Sequence, residues 1–269
     1  MNGIVINIDP VAFSVGHFEL RWYSIFVVLA FVAGTMVAVK RCKKVGMTAD
    51  QVYTLVMVVA LGGLVGARLF HVLDRLGYYM ENPGQILGFE GLAIWGGLIG
   101  GGVATLVYAR VTKIPLRPLA DAAVPAVLVG QIVGRFACII NGDAYGGVTT
   151  LPWGFVYVNP GAMIPDYLRG IPTHPYVVYE QIWNVLTLAG VLALSRRVKA
   201  PGALFLMYVS AYAVGRLLLT SVRQEVVWFW GMQEAQVVSL AILAVSVPLL
   251  VRSVRAGPKL IPADGVAEK

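Results

Sequence analysis

Apolar residues fall in seven long blocks along this chain: 22–39, 51–73, 91–109, 118–140, 176–195, 202–222 and 235–251. A helix rises about 1.5 Å per residue, so roughly 20 mostly apolar residues cross a hydrocarbon core. Each block is read as one membrane-spanning helix. The polar connections come in two kinds, short basic ones and longer ones rich in Gly, Pro and aromatics. Residues 1–21 form an arm. Residues 74–90 carry Tyr78, Tyr79, Asn82 and Pro83, and 141–175 interleave Trp153, Phe155 and Tyr157 with Gly and Pro. The pattern predicts an all-α polytopic membrane protein of seven transmembrane helices with a small cap from 141–175, in which short strands are expected. It is read as one transmembrane domain, 1–252, with a short tail, 253–269.

Composition supports this reading. The 269 residues are 58% hydrophobic and 13% charged, with a mean hydropathy of +0.76; a soluble domain carries about 25% charged residues. The net charge of +7 would suit nucleic acid if the basic residues formed a patch. They do not. Lys40, Arg41, Lys43 and Lys44 follow the first span, and Arg110, Lys113 and Arg117 separate the third and fourth. Arg196, Arg197 and Lys199 follow the fifth, and the tail holds Arg252, Arg255, Lys259 and Lys269. The opposite side keeps Arg21, Arg75, Arg169 and Arg223. By the positive-inside rule the N-terminus is expected outside and the C-terminus in the cytoplasm, and no nucleic-acid partner is expected. No basic n-region precedes the first apolar run, so no cleavable signal is expected. Cys42 and Cys138 fall near opposite membrane faces, too far apart for a bridge.

Three arginines, Arg68, Arg135 and Arg216, sit inside predicted spans. A central Arg costs about 2.5–3.5 kcal/mol on insertion scales, so each needs a reason. Each lies five or six residues below the outer end of its span, roughly 8–9 Å deep at the helical rise. One reason is snorkelling to the interface. The other is a shared anion site, and the anion available at that depth is a phospholipid phosphate. A guanidinium suits it through a planar fork that donates two parallel hydrogen bonds and cannot be titrated away. Tyr212 shares a helix face with Arg216, and His71 with Arg68, by their spacings of four and three; each also has a bland reading, as an interfacial aromatic and a hydrogen-bonded bundle residue. Glu180 is a candidate counter-ion. Arg135 runs into an Asn-Gly-Asp turn at which Asn141 can donate and accept, and Asp143 can serve as a base or hold Arg135. The glycines at 62, 63, 66, 96, 97 and 100–102 suit close helix packing. The chain has no span-7 lysine for a Schiff base, no metal-ligand spacing, no Gly-x-Ser-x-Gly elbow and no P-loop.

In these residues the chain resembles the bacterial prolipoprotein diacylglyceryl transferase family, from about Asp9 to about Val251. The most specific stretch is GRFACIINGDAYGG with LPWGFVY after it. DPVAFSVGHFELRWYS, GARLFHVLDRLGYY, ENPGQIL, EGLAIWGGLIGG, THPYVVYEQ, YAVGRLLLTSVRQE and GMQEAQVVSLAIL follow the family's order. The resemblance implies transfer of the sn-1,2-diacylglyceryl group of phosphatidylglycerol to the lipobox cysteine of a prolipoprotein signal peptide. A thioether forms, glycerol phosphate leaves, and no metal or cofactor takes part. It carries over Arg135, Arg216, Tyr212, Tyr23 and Asn141 as matches to the family's motif residues; with the reading of the other residues, Arg135, Arg216, Tyr212 and Asp143 are expected to be catalytic, and Arg68, Tyr23, Asn141, Trp95 and His71 to contact substrate. It places the enzyme in the bacterial plasma (inner) membrane among membrane lipids, with its site toward the extracytoplasmic leaflet. The family often has Asn at the position of Cys138, Glu at Asp143, His at Trp95 and Glu at Thr220, so a His-based general base is not carried over. Two other readings are a phospholipid-binding or translocating protein without chemistry, and a seven-helix receptor or transporter. The second predicts a midplane polar site, whereas these charges gather near one boundary.

Overall fold

The computed structural model describes residues 3–88, 91–223 and 227–256. Glu90, Gln224, Glu225 and the tail from 257, with Lys259 and Lys269, lie outside the described residues. The seven expected spans are helices long and apolar enough to cross a membrane: α1 (Trp22–Cys42), α2 (Ala49–Asp74), α4 (Ile94–Val111), α5 (Leu116–Asn141), α6 (Tyr176–Leu194), α7 (Ala203–Leu219) and α8 (Glu234–Arg255). A short α3 (Leu76–Glu81) was not expected. The arm is not a bare extension. It holds β1 (Ile4–Ile6) and a hairpin of β2 (Val11–Val15) with β3 (Phe18–Arg21), and β3 runs straight into α1. β1 pairs in parallel with β4 (Phe155–Tyr157) of the cap. A second hairpin, β5 (Val227–Phe229) with β6 (Met232–Gln233), leads into α8.

The chain forms two compact units, residues 38–122 and residues 1–37 with 123–269. In the smaller, α2 begins at a capping box in which the Thr48 hydroxyl accepts from the Gln51 amide and the Gln51 side chain accepts from the Thr48 amide. α2 and α4 then meet through glycine. A Cβ on Gly66 would lie 2.8 Å from the Cα of Gly100 and strike the carbonyl of Gly96, so this approach tolerates no side chain there. Without water, helix association relies on such close packing rather than on the hydrophobic effect.

In the larger unit, α5, α6 and α7 are tied by hydrogen bonds within the spans. Gln181 Nε2 donates to the Ile132 carbonyl at 3.1 Å, Trp183 Nε1 to the Ala211 carbonyl at 2.8 Å, and Gln131 Nε2 to the Tyr208 hydroxyl at 2.8 Å. Val124, Leu128 and Val191 fill the space between them. α7 meets α8 at a pair of serine hydroxyls, Ser210 and Ser246, 2.9 Å apart. Many large apolar side chains, Val28, Met36 and Leu186 among them, point outward, a surface suited to hydrocarbon rather than water. The cap packs its own core of Phe155, Tyr157, Ala162, Ile164 and Leu168. Its backbone is stitched by Phe155 and Thr173, which exchange amide–carbonyl bonds at 2.9 Å, and by Gly147 N–H to the Val222 carbonyl at 2.8 Å.

Candidate active site

α5 carries Arg135 and ends six residues later. The stop is Gly142, whose φ of 72° is left-handed and whose N–H reaches back to the Cys138 carbonyl at 2.9 Å. A Cβ there would also press on the Tyr157 ring at 3.2 Å. Glycine is thus required by conformation and by space. Past the stop, the Met163 amide donates to the Asn141 carbonyl at 2.8 Å, and Tyr157 donates its hydroxyl to the Ile139 carbonyl at 2.9 Å. The cap is therefore anchored on the last turn of the helix that presents Arg135. Burial first, then the Asp143 carboxylate, holds the Tyr157 phenol protonated far above its ordinary range, which keeps this strut a donor.

Arg135 and Arg216 meet on one carboxylate. Glu180 Oε1 accepts from Arg135 Nη2 at 3.0 Å and from Arg216 Nη1 at 3.3 Å. Its Oε2 makes an ion-pair contact with Arg135 Nη2 at 2.9 Å without an aligned hydrogen bond. The Glu180 side chain is 6% exposed, against 28% for Arg135 and 20% for Arg216. A buried carboxylate is tolerated only when paired, and here it has two partners. Among the described residues, the two guanidiniums share this one carboxylate. Both guanidiniums stay partly exposed, at 28% and 20%, and so can meet a further anion.

Other groups gather around Arg135. The Cys138 sulfur lies 3.9 Å from Arg135 Nη1. Tyr212 lies within electrostatic reach of Arg135, and Tyr23 within reach of Cys138, Asp143 and Arg135. Asp143 is exposed, just past Gly142. Asn141 is buried, with its amide nitrogen 3.0 Å from the Met163 sulfur. The expected residues Arg135, Arg216, Tyr212, Asp143, Tyr23 and Asn141 thus belong to the larger unit. Glu180, anticipated as a counter-ion, is the hub of the arginine pair.

Arg68, His71 and Trp95 belong to the smaller unit. The Arg68 guanidinium donates from Nε to the Ile86 carbonyl at 2.9 Å, from Nη1 to Gly91 at 3.1 Å and from Nη2 to Gln85, and lies 5.2 Å from the Tyr79 ring centroid. It gathers the chain that leads into α4. His71 packs edge-on to Tyr79 at 6.0 Å and fills the space a side chain at Gly91 would need. Trp95, in the first turn of α4, is 42% exposed.

Two neighbours of the cluster escaped sequence reasoning. Tyr176 accepts a 2.7 Å hydrogen bond from Arg216 Nη1, and the Arg223 guanidinium lies 5.1 Å from its ring centroid. The available signal was spacing, since Tyr176 precedes Glu180 by four and shares its helix face. Among the described residues, no three of His, Cys, Asp and Glu are grouped to hold a metal ion.

The family model for prolipoprotein diacylglyceryl transferase matches residues 10–252. A phosphatidylglycerol–prolipoprotein diacylglyceryl transferase of Dehalococcoides mccartyi is 37% identical over 251 residues, covering 93% of this chain and 95% of its own. The enzymes of that name from Clostridioides difficile and Staphylococcus aureus are each 32% identical, covering 86% and 98% of this chain and 90% and 96% of theirs. With the arginine motifs inside a match that runs almost from end to end, the chain belongs to the prolipoprotein diacylglyceryl transferase family.

Proposed function

We infer that this multi-pass membrane protein is a transferase of lipoprotein maturation. It moves the diacylglyceryl group of phosphatidylglycerol to a prolipoprotein, and the acceptor is the thiol of the lipobox cysteine. Family membership carries the reaction class. The observation that carries the site is the pairing of Arg135 and Arg216 on Glu180 with both guanidiniums still partly exposed.

The substrate thiolate attacks the glyceryl carbon that bears the phosphate ester. A C–S bond forms as the C–O bond breaks, and the electron pair leaves on oxygen as glycerol phosphate. Negative charge therefore grows on the leaving phosphate. Arg135 and Arg216 stabilise it, and fixed charges aimed at developing charge are worth most where water is excluded. Their field also favours the thiolate, since thiolate and not thiol is the nucleophile. Asp143, exposed and close to this cluster, takes the thiol proton. Tyr212, Tyr23 and Asn141 contact the phosphate and glycerol oxygens. In the smaller unit Arg68 and His71 lie against Gln85, Ile86 and Gly91 near the start of α4, where Trp95 sits, and all three contact lipid there. The basic loops put the N-terminus and the cap outside a bacterial plasma membrane and serve topology rather than nucleic acid. The site then faces the extracytoplasmic leaflet, where a secreted precursor emerges.

The test is reconstitution. Purified protein, phosphatidylglycerol vesicles and a lipobox peptide should yield a diacylglyceryl thioether and free glycerol phosphate in equal amounts. Lipid binding or flipping without product would support the non-catalytic reading instead.

A further inference from the structure

Arg216 has two acceptors of different kinds on one nitrogen. Its Nη1 donates to Glu180 Oε1 at 3.3 Å and to the Tyr176 hydroxyl at 2.7 Å. Both acceptors come from the first turns of α6, four residues apart, so one helix face grips one guanidinium twice. The shorter bond is to the neutral partner.

The difference matters once an anion arrives. Glu180 competes with a phosphate for the same positive charge. A phenol does not, because it accepts a hydrogen bond without neutralising the cation. Tyr176 can therefore keep its hold on Arg216 while Glu180 shares the guanidinium with substrate. Tyr176 is itself fixed. It is wholly buried among Cys138, Ala144 and Val177, it opens α6 immediately after Pro175, and the Arg223 guanidinium stands over its ring at 5.1 Å. Its burial keeps it from touching the lipid.

We propose that Tyr176 is a positioning residue for the transfer reaction, a neutral strut that aims Arg216 at the phosphate as charge develops there. This rests on the transferase reading above. A merely structural tyrosine would act through fold stability, whereas a strut on Arg216 acts on the step that Arg216 assists.

The experiment is Tyr176→Phe in the reconstituted assay, with kcat and the KM for phosphatidylglycerol measured separately and folded protein measured by thermal unfolding. The ring stays beneath Arg223, and what goes is the phenol oxygen that accepts from Arg216 and that Arg223 also approaches. The expected result is a fall of about 10-fold in kcat, the order of one hydrogen bond to a charged group, with KM within twofold and the unfolding midpoint nearly unchanged. A kcat within twofold of wild type overturns the proposal. So does a loss confined to KM, or a loss of rate that merely follows a loss of folded protein. Should the wild-type protein give no thioether at all, the transferase reading fails and takes this inference with it. A wild-type enzyme indifferent to Tyr176→Phe sinks this inference alone.

Discussion

Arg135→Lys isolates the value of a fork over a point charge. Lysine preserves the positive charge beside Glu180, so the buried carboxylate keeps partners on both sides, its bond with Arg216 being untouched. What disappears is the second parallel donor. In the resting protein Arg135 spends Nη2 on Glu180 at 2.9–3.0 Å, while Nη1 faces the Cys138 sulfur at 3.9 Å, a weak contact that a phosphate oxygen can replace. A hydrogen bond to a charged group contributes about 1.5–3 kcal/mol. Losing one in the transition state lowers the rate roughly 10- to 150-fold. The loss should fall on kcat more than on KM, because the phosphate charge that the fork meets grows during the reaction. The assay is glycerol phosphate release from phosphatidylglycerol vesicles with a lipobox peptide, alongside a thermal-unfolding control. A folded Arg135→Lys protein with kcat/KM within threefold of wild type would refute a bidentate role for this arginine.

Three further outcomes follow from the same geometry. Glu180→Gln removes the buried carboxylate that both arginines share, so stability should fall by up to about 3–5 kcal/mol while phosphatidylglycerol binds no more weakly; an unchanged unfolding midpoint would contradict the hub assignment. Cys138→Ser should keep activity within about threefold, since a hydroxyl fits the site and the substrate supplies its own thiol; mass spectrometry that finds a lipid adduct on Cys138 would reverse the assignment of the nucleophile. For topology, a cysteine placed at Gly147 should react with an impermeant maleimide outside intact cells, and one at the exposed Lys199 only after permeabilisation; the opposite pattern would invert the chain.

The spans were legible because twenty apolar residues in a row have few other fates, and their ends agree with the helices to within about three or four residues. Arg135 and Arg216 stood out because a charge inside such a run needs a partner, and Glu180 was the nearby carboxylate that could serve. The strut was not legible. A tyrosine at a span boundary is ordinary in an interfacial belt; its spacing of four from Glu180 puts both on one face, but only the side-chain geometry shows Tyr176 holding Arg216. Arg68 shows the converse. By depth it matched the other two arginines, yet its donors serve carbonyls 17 to 23 residues further along, a loop closure that no periodicity announces. The arm escaped for a related reason, since three residues, Ile4–Ile6, are too few to carry a strand pattern without their partner β4.

That partner has a consequence for how the protein is made. Ile4 pairs with Phe155, so the ends of a loop of roughly 150 residues must meet, and the entropy of such a closure is spent before the contact returns anything. Four spans are synthesised between the two strands. β1 leaves the ribosome first and waits, unpaired, until β4 has followed α5. The cap that rests on the exit of α5 is therefore completed late, after the helix carrying Arg135 is in place. A bulky fusion joined directly to β1 would interfere at that final joining, delaying maturation of the site while leaving each span free to insert.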